Sequence, residues 1–328
     1  MTETELHFLS AGNKIAATLC LPDGAGPFPV VLMVHGSGPL DRDENIPGQR
    51  LDVFNTIAAA LSRIGVASVR YDKRGCRRSE GNYYAAGYED FVEDATALVV
   101  AIRSFSWCNA QGVFLLGHSE GCLTAPQVSR RCRVAGLLLL SPVFTDVEEL
   151  IRRQAERVRM DAAALRGFRG LFYRALLATS PATHSRLIVR VRASTTDTIR
   201  FRFRKLEAKS LRQLLALDVR ALMSSVSCPM LLIGGGKDIQ CDPDDVERIA
   251  KAAKQAQVET HVLPNLSHTL RLEPQAPSLF RYTELLKHPI EQRVLELITS
   301  WMQRQLAMSA NEAQPAVPGD GLASLGRA

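Results

Sequence analysis

No apolar run in this 328-residue chain reaches the ~18 residues that a membrane-spanning helix needs. The N-terminal stretch "MTETELHFLSAGNK" has no basic start leading into an apolar segment, so it does not read as a secretory leader. The seven cysteines are scattered, with no CxxC pair among them. That excludes the usual zinc framework, and the odd count argues against a disulfide frame. The expectation is reduced thiols, a cytoplasmic setting and no metal. No nucleic-acid motif is present.

What the chain does have is 46% hydrophobic residues, enough for a large buried core. Its length fits one large domain carrying an insertion, or two domains. The net charge of +6 is unevenly spread: between Ile151 and Leu217, 16 Lys and Arg stand against 4 Asp and Glu. This excess of 12 leaves the remainder slightly acidic. It is either a solvated helical face or a surface turned toward an anionic substrate. Arg200, Arg202 and Arg204, spaced by two, would share one face if extended and spread around a helix if not.

Strand and helix patterns alternate along the chain. "ELHFLSAGNKIAATLCLP" reads as a hairpin turning at Gly-Asn. "FPVVLMVHG", "VASVRYD", "GVFLLG", "VAGLLLLSP", "PMLLIGG" and "VETHVLPN" read as strands, most of them continuous apolar runs of the kind buried on both faces. Segments with helical spacing lie between them, and "PIEQRVLELITSWMQRQL" is a long final helix. The βαβα order predicts an α/β fold: a mostly parallel central sheet with helices on both faces, led by an antiparallel hairpin. Residues 143–225 break the alternation and read as a helical cap insertion, leaving 1–142 and 226–307 as the core. Residues 308–328 read as a disordered tail.

"LLGHSEGC", Leu115–Cys122, places Ser119 between two glycines at the point where a strand gives way to a helix. A serine on so sharp a turn needs small flanking residues and sits at a helix N-terminus, where backbone N–H groups favour a developing anion. The three fixed positions alone arise by chance in roughly one chain of this length in ten; the strand–turn–helix setting makes the match far more specific. A nucleophilic serine needs a base and an acid to orient it, following in chain order Ser, acid, His. Asp238 stands past the strand "PMLLIGG" and His268 past the last strand. Asp146, after "VAGLLLLSP", is the alternative acid, and Asp242 lies further into its loop. His118 adjoins the serine and is expected to pack. His261, inside a strand, and His288, at a helix start, are poorly placed as bases. The loop His35-Gly36-Ser37-Gly38-Pro39 follows the first sheet strand, and its glycines let backbone N–H groups approach an oxyanion. The expected donors are the N–H of Ser37, with Gly38 as second choice, and the N–H of Glu120.

"HGSGPLDRDEN", "YDKRGCRRSEG" and "GHSEG" together resemble the α/β-hydrolase superfamily over roughly Leu6 to Leu306. Within it the chain is similar to a bacterial serine-esterase branch with a helical cap, related to the dienelactone-hydrolase-like and serine-aminopeptidase-like groups. The resemblance implies Ser119 as nucleophile, Asp238 as acid, His268 as base and no cofactor. Relatives usually carry glycine where this chain has Arg77 and Cys122; Arg77 and Arg78 are expected to alter the substrate entrance, and Gly38 and Arg77 are the expected substrate-binding residues. The expected reaction is two-step acyl transfer on a small-molecule ester. Thioesters, carbon–carbon bonds and amides, the last as an aminopeptidase, are alternatives of the same fold. A non-catalytic ligand-binding role is the alternative of another class.

Overall fold

The structure, a computed structural model, describes residues 1–165, 167, 181–201 and 204–312. An eight-stranded sheet organises the chain. β1 (Thr2–Ser10) and β2 (Asn13–Leu21) form the leading hairpin, followed by β3 (Phe28–Val34), β4 (Ala67–Tyr71), β5 (Cys108–His118) and β6 (Gly136–Leu140). The strands Met230–Gly235 and Val258–Leu263 complete the sheet, in the order β1, β2, β4, β3, β5, β6, Met230–Gly235, Val258–Leu263. From β4 to the far edge all pairings are parallel, and only β1 and β2 run against their neighbours. The hairpin turns one residue earlier than expected. Ser10 pairs with Asn13, and Ala11 and Gly12 carry φ of 44° and 78°. With positive φ at both central positions the two-residue loop is of the I′ kind that suits right-twisted strands, and here alanine accepts one of them.

The apolar runs are continuous because both faces of the sheet are covered. Leu32, Leu115, Leu137 and Met230 form one row across four strands. They pack with Val92, Leu98 and Ile102 of α2 (Tyr88–Ile102) and Val128 of α3 (Gly121–Arg131). Their neighbours along the strands, Val31, Met33, Phe114, Leu116, Leu138 and Leu231, point the other way. They meet Phe54, Ile57 and Leu61 of α1 (Val53–Ser62) and Val294, Ile298 and Trp301 of the last helix, Gln292–Glu312. Each such side chain, fully buried, contributes about 1.5–3 kcal/mol against exposure. That helix includes residues 308–312 of the expected tail; 313–328 lie outside the described residues.

Between β6 and Met230–Gly235 the chain leaves the sheet, as the broken alternation indicates. α4 (Val147–Ala164), α5 (Pro181–Ala193), α6 (Ala208–Leu215) and α7 (Val219–Ser224) occupy this stretch. So does a feature the helical reading misses: strands β7 (Thr198–Phe201) and β8 (Arg204–Glu207) pair antiparallel. The extended alternative therefore holds for Arg200, which is exposed; Arg202 lies outside the described residues. Among the described residues, several polar contacts dock the insertion on the core. Gln154 of α4 donates to the Gln240 carbonyl at 2.9 Å and Arg153 pairs with Asp242 at 2.7 Å. Lys209 of α6 pairs with Asp90 of α2 at 2.8 Å.

Candidate active site

At the end of β5 the chain turns into α3 through Ser119, whose φ is 54°. A side chain in that left-handed region is strained, and the surroundings hold it there. The Ser119 N–H donates to the Leu140 carbonyl at 3.0 Å. The two glycines of the motif have separate steric reasons. A Cβ on Gly117 would lie 2.3 Å from the Gly121 carbonyl oxygen, and one on Gly121 would lie 2.1 Å from the Val34 carbonyl oxygen. Both obstacles are backbone, so neither can rotate away. Gly121→Ala is therefore expected to push β3 and α3 apart and to remove most soluble, active protein. Thermal unfolding and activity of the purified variant measure this, and a Tm within 2 °C of wild type contradicts it. Cys122 is fully buried, its thiol 3.1 Å from the Leu140 carbonyl and 3.3 Å from that of Gly117.

Asp238 follows the strand Met230–Gly235, and His268 lies in the loop after Val258–Leu263. Their side chains meet, His268 Nδ1 to Asp238 Oδ2, at 2.8 Å. The other carboxylate oxygen accepts the N–H groups of Gln240 at 2.8 Å and Cys241 at 2.9 Å. Burial pushes the Asp238 carboxyl up; His268 and the two backbone donors outweigh it and hold the group below the ordinary carboxylate range. Among the described residues no hydrogen bond joins Ser119 to His268. Of the two expected links, the structure makes the Asp–His bond and leaves the Ser–His bond open, a bond that in many enzymes tightens only when substrate binds. Ser119 is nevertheless brought to the same place. The preceding residue, His118, contacts the His268 carbonyl at 3.0 Å through Nε2, and the Cys241 thiol lies beside Ser119.

Asp146, the rival acid, is exposed and caps α4, accepting the Glu148 N–H at 2.9 Å. Asp242 pairs with Arg153 and Arg248, His261 with Glu259, and His288 is exposed. Arg77 has a φ of 48°, a backbone that suits glycine. Its exposed side chain lies 3.7 Å from Asp41, and no described contact brings it to Ser119. Among the described residues the N–H groups of Ser37, Gly38 and Glu120 have no hydrogen-bond acceptor. Backbone donors left open beside a strained serine are what an oxyanion site requires.

His118 does more than the packing expected of it. Its Nδ1 meets Glu44 Oε2 at 2.6 Å, both side chains being at most 4% exposed. Glu44 Oε1 accepts the Gly36 N–H at 2.7 Å. Burial opposes both charges, but each partner outweighs it, so the Glu44 carboxyl is held low and the His118 imidazole is raised. Because Nε2 faces a carbonyl, which only accepts, Nε2 is the nitrogen that carries a proton. A chain of contacts thus runs from the Gly36 loop through Glu44 and His118 to the His268 loop. Lys73, also buried, lies on the other side of Gly36. Nothing in the sequence separates Glu44 or Lys73 from the other charges of "LDRDEN" and "YDKRG"; only the fold brings them to Gly36.

Asp238, Cys241 and His268 place one ligand atom each within 4.8 Å of one another, a donor set that could hold a metal ion. The carboxylate and imidazole are already bonded to each other, and burial and Asp238 push the Cys241 thiol well above its ordinary range. A neutral thiol beside a satisfied pair is a poor ligand set.

Comparisons with known proteins speak to the family and the fold. The family described as "Serine aminopeptidase, S33" matches residues 47–275, a span holding Ser119, Asp238 and His268. Esterase EstD of Thermotoga maritima is 25% identical over 291 residues, covering 88% of this chain; the chain spans only 66% of that relative's length. Est1E from Butyrivibrio proteoclasticus superposes with a TM-score of 0.59 at 18% identity, covering 92% of this chain and 99% of its own. Proline iminopeptidase of Mycobacterium smegmatis gives a TM-score of 0.60 at 15% identity, covering 93% and 100%. At such identities the solved structures speak for the fold alone. Fold and family match together place this chain in the serine aminopeptidase S33 family of the α/β-hydrolases.

Proposed function

We propose that the protein is a serine hydrolase that cleaves small carboxylic esters by two-step acyl transfer. The observation that carries the reading is Ser119, held in a left-handed turn by two glycines that tolerate no side chain, beside a buried Asp238–His268 pair. Ser119 attacks the ester carbonyl as His268 takes its proton. Asp238 keeps Nδ1 protonated, so that Nε2 is the basic nitrogen. The N–H groups of Ser37 and Glu120 receive the oxyanion. His268 then protonates the leaving alcohol and activates water to release the acid. No cofactor enters these steps, and a cytoplasmic setting accords with seven free cysteines. Among the described residues no helix is long and apolar enough to cross a membrane.

The family's description also names aminopeptidases. Such an enzyme needs a carboxylate free to hold the substrate ammonium. Among the described residues, the carboxylates that contact the Ser119 turn are paired: Glu44 with His118, Glu120 with Lys73 and Asp238 with His268. This favours an ester. Within the insertion, Arg152, Arg153, Arg157, Arg159 and Arg192 are likewise ion-paired, which supports a solvated basic face over a trap for anions.

Stoichiometric labelling of Ser119 by a fluorophosphonate, followed by a panel of p-nitrophenyl esters with short, long and carboxylate-bearing acyl chains, tests the reading. Labelling without turnover of any ester or amide would leave a ligand-binding protein. Raising NaCl is expected to change kcat/KM equally for carboxylate-bearing and neutral esters. Exposed charges are screened over about 10 Å at 0.1 M salt, so a fall confined to the charged ester would give the insertion a part in substrate capture.

A further inference from the structure

Lys73 stands just past β4, with its side chain 4% exposed. Its ammonium group donates to the Gly36 carbonyl at 2.7 Å, lies 3.3 Å from Glu120 Oε1 and sits 4.7 Å from the centre of the Phe91 ring. The two residues it holds are not arbitrary. Gly36 O belongs to the peptide unit whose N–H is that of Ser37, and Glu120 carries the other open N–H. We propose that Lys73 is a positioning residue for the oxyanion site, fixing and polarising the Gly36–Ser37 peptide and tying it to Glu120.

In a trans peptide the C=O and N–H point in opposite directions. A buried cation anchoring the oxygen therefore aims the Ser37 N–H away from itself, toward the exposed side of the loop. A charged donor on the carbonyl also draws electron density from the amide and strengthens its N–H as a donor, as in any hydrogen-bonded chain. Glu44 fixes the neighbouring peptide by accepting the Gly36 N–H, so the loop is held on both sides of one glycine. There is no room for slack: a Cβ on Gly36 would lie 3.2 Å from the Ser119 Cβ. The three strands that deliver these groups lie side by side, β4 with Lys73, β3 with Gly36 and β5 with Ser119 and Glu120.

The inference rests on the acyl-transfer reading and on Ser37 as donor. Its test uses Lys73→Met and Lys73→Arg in the full chain, with kcat referred to sites titrated to completion by fluorophosphonate. Removing an oxyanion donor outright costs about 10²–10³-fold; mis-aiming one that remains is expected to cost about 10–100-fold in kcat, with KM within threefold. Affinity for an aryl trifluoromethyl ketone should fall by the same factor. There Ser119 Oγ adds to the carbonyl, its proton passes to His268, and the resulting alkoxide needs the same N–H groups. Lys73→Arg, which keeps a cationic donor, should recover most of the loss. A merely structural lysine would lower the titratable fraction and leave kcat per site alone. That outcome overturns the proposal, as does a kcat loss with unchanged ketone affinity. Should Lys73→Met yield no titratable protein, Lys73→Arg and Lys73→Gln decide: a Gln variant with wild-type kcat per site rules out the role. If wild type itself is not labelled at Ser119, the acyl-transfer reading falls; labelled wild type with an unaffected variant sinks this inference alone.

Discussion

Ser119→Ala is expected to yield a folded protein that has lost about 10³-fold or more in kcat, because the members of a Ser–His–Asp unit act together. The fold should survive for a local reason. Alanine occupies the same left-handed turn with no larger side chain, and the backbone bond from residue 119 to the Leu140 carbonyl does not involve the hydroxyl. What disappears is the hydroxyl proposed to form the acyl bond. Steady-state turnover of a p-nitrophenyl ester, together with loss of fluorophosphonate labelling, measures this. A variant retaining more than a tenth of wild-type turnover removes Ser119 from the mechanism.

Asp238→Asn should cost roughly 10³–10⁴-fold in kcat, through the wrong tautomer of His268. The orientation of the new amide is dictated by the structure. The N–H groups of Gln240 and Cys241 both point at one carboxylate oxygen, so the amide oxygen must take that position. The amide NH₂ then faces the His268 Nδ1–H, donor against donor, where an acceptor is needed. The imidazole can accept from it only by moving its proton to Nε2, which leaves no base for Ser119. Asp146→Asn is the control. Asparagine caps a helix about as well as aspartate, and Asp146 is exposed at the start of α4, so kcat should stay within threefold of wild type. Reversed results for the two acids would move the acid to the end of β6 while leaving the fold intact.

Much of this site was legible because its parts obey short-range rules. Gly117 is required by a backbone contact four residues away, and although Gly121 is required by the distant Val34 carbonyl, the strand–turn–helix pattern announces both. Asp238 and His268 stand where the ends of buried apolar strands are plainly marked. The β7–β8 hairpin was illegible: Thr198–Phe201 and Arg204–Glu207 are four residues each, and of Thr198–Phe201 only Ile199 is buried, too little for a period of two to show. Glu44 and His118 lie 74 positions apart, and Lys73 and Glu120 lie 47. Such ion pairs leave no trace in spacing. His118 accordingly reads as packing until the Glu44 carboxylate is found against it. The hairpin turn at Ala11 was misplaced because alanine gives no hint that it will accept positive φ.

The order of the strands in the sheet carries a consequence for how the site comes into being. Its groups are supplied by the ends of β3, β4, β5, Met230–Gly235 and Val258–Leu263, five strands drawn from more than two hundred residues of chain. Each parallel pairing closes a long loop before any contact rewards it, which makes such sheets slow to zip. Helices and single strand pairs can therefore form early in refolding without bringing Ser119, His268 and the Gly36 loop together. If Ser119 is the nucleophile, reactivity toward a fluorophosphonate is expected to be a late event in refolding, regained after the far-ultraviolet circular dichroism signal; recovery of labelling in step with that signal would contradict this.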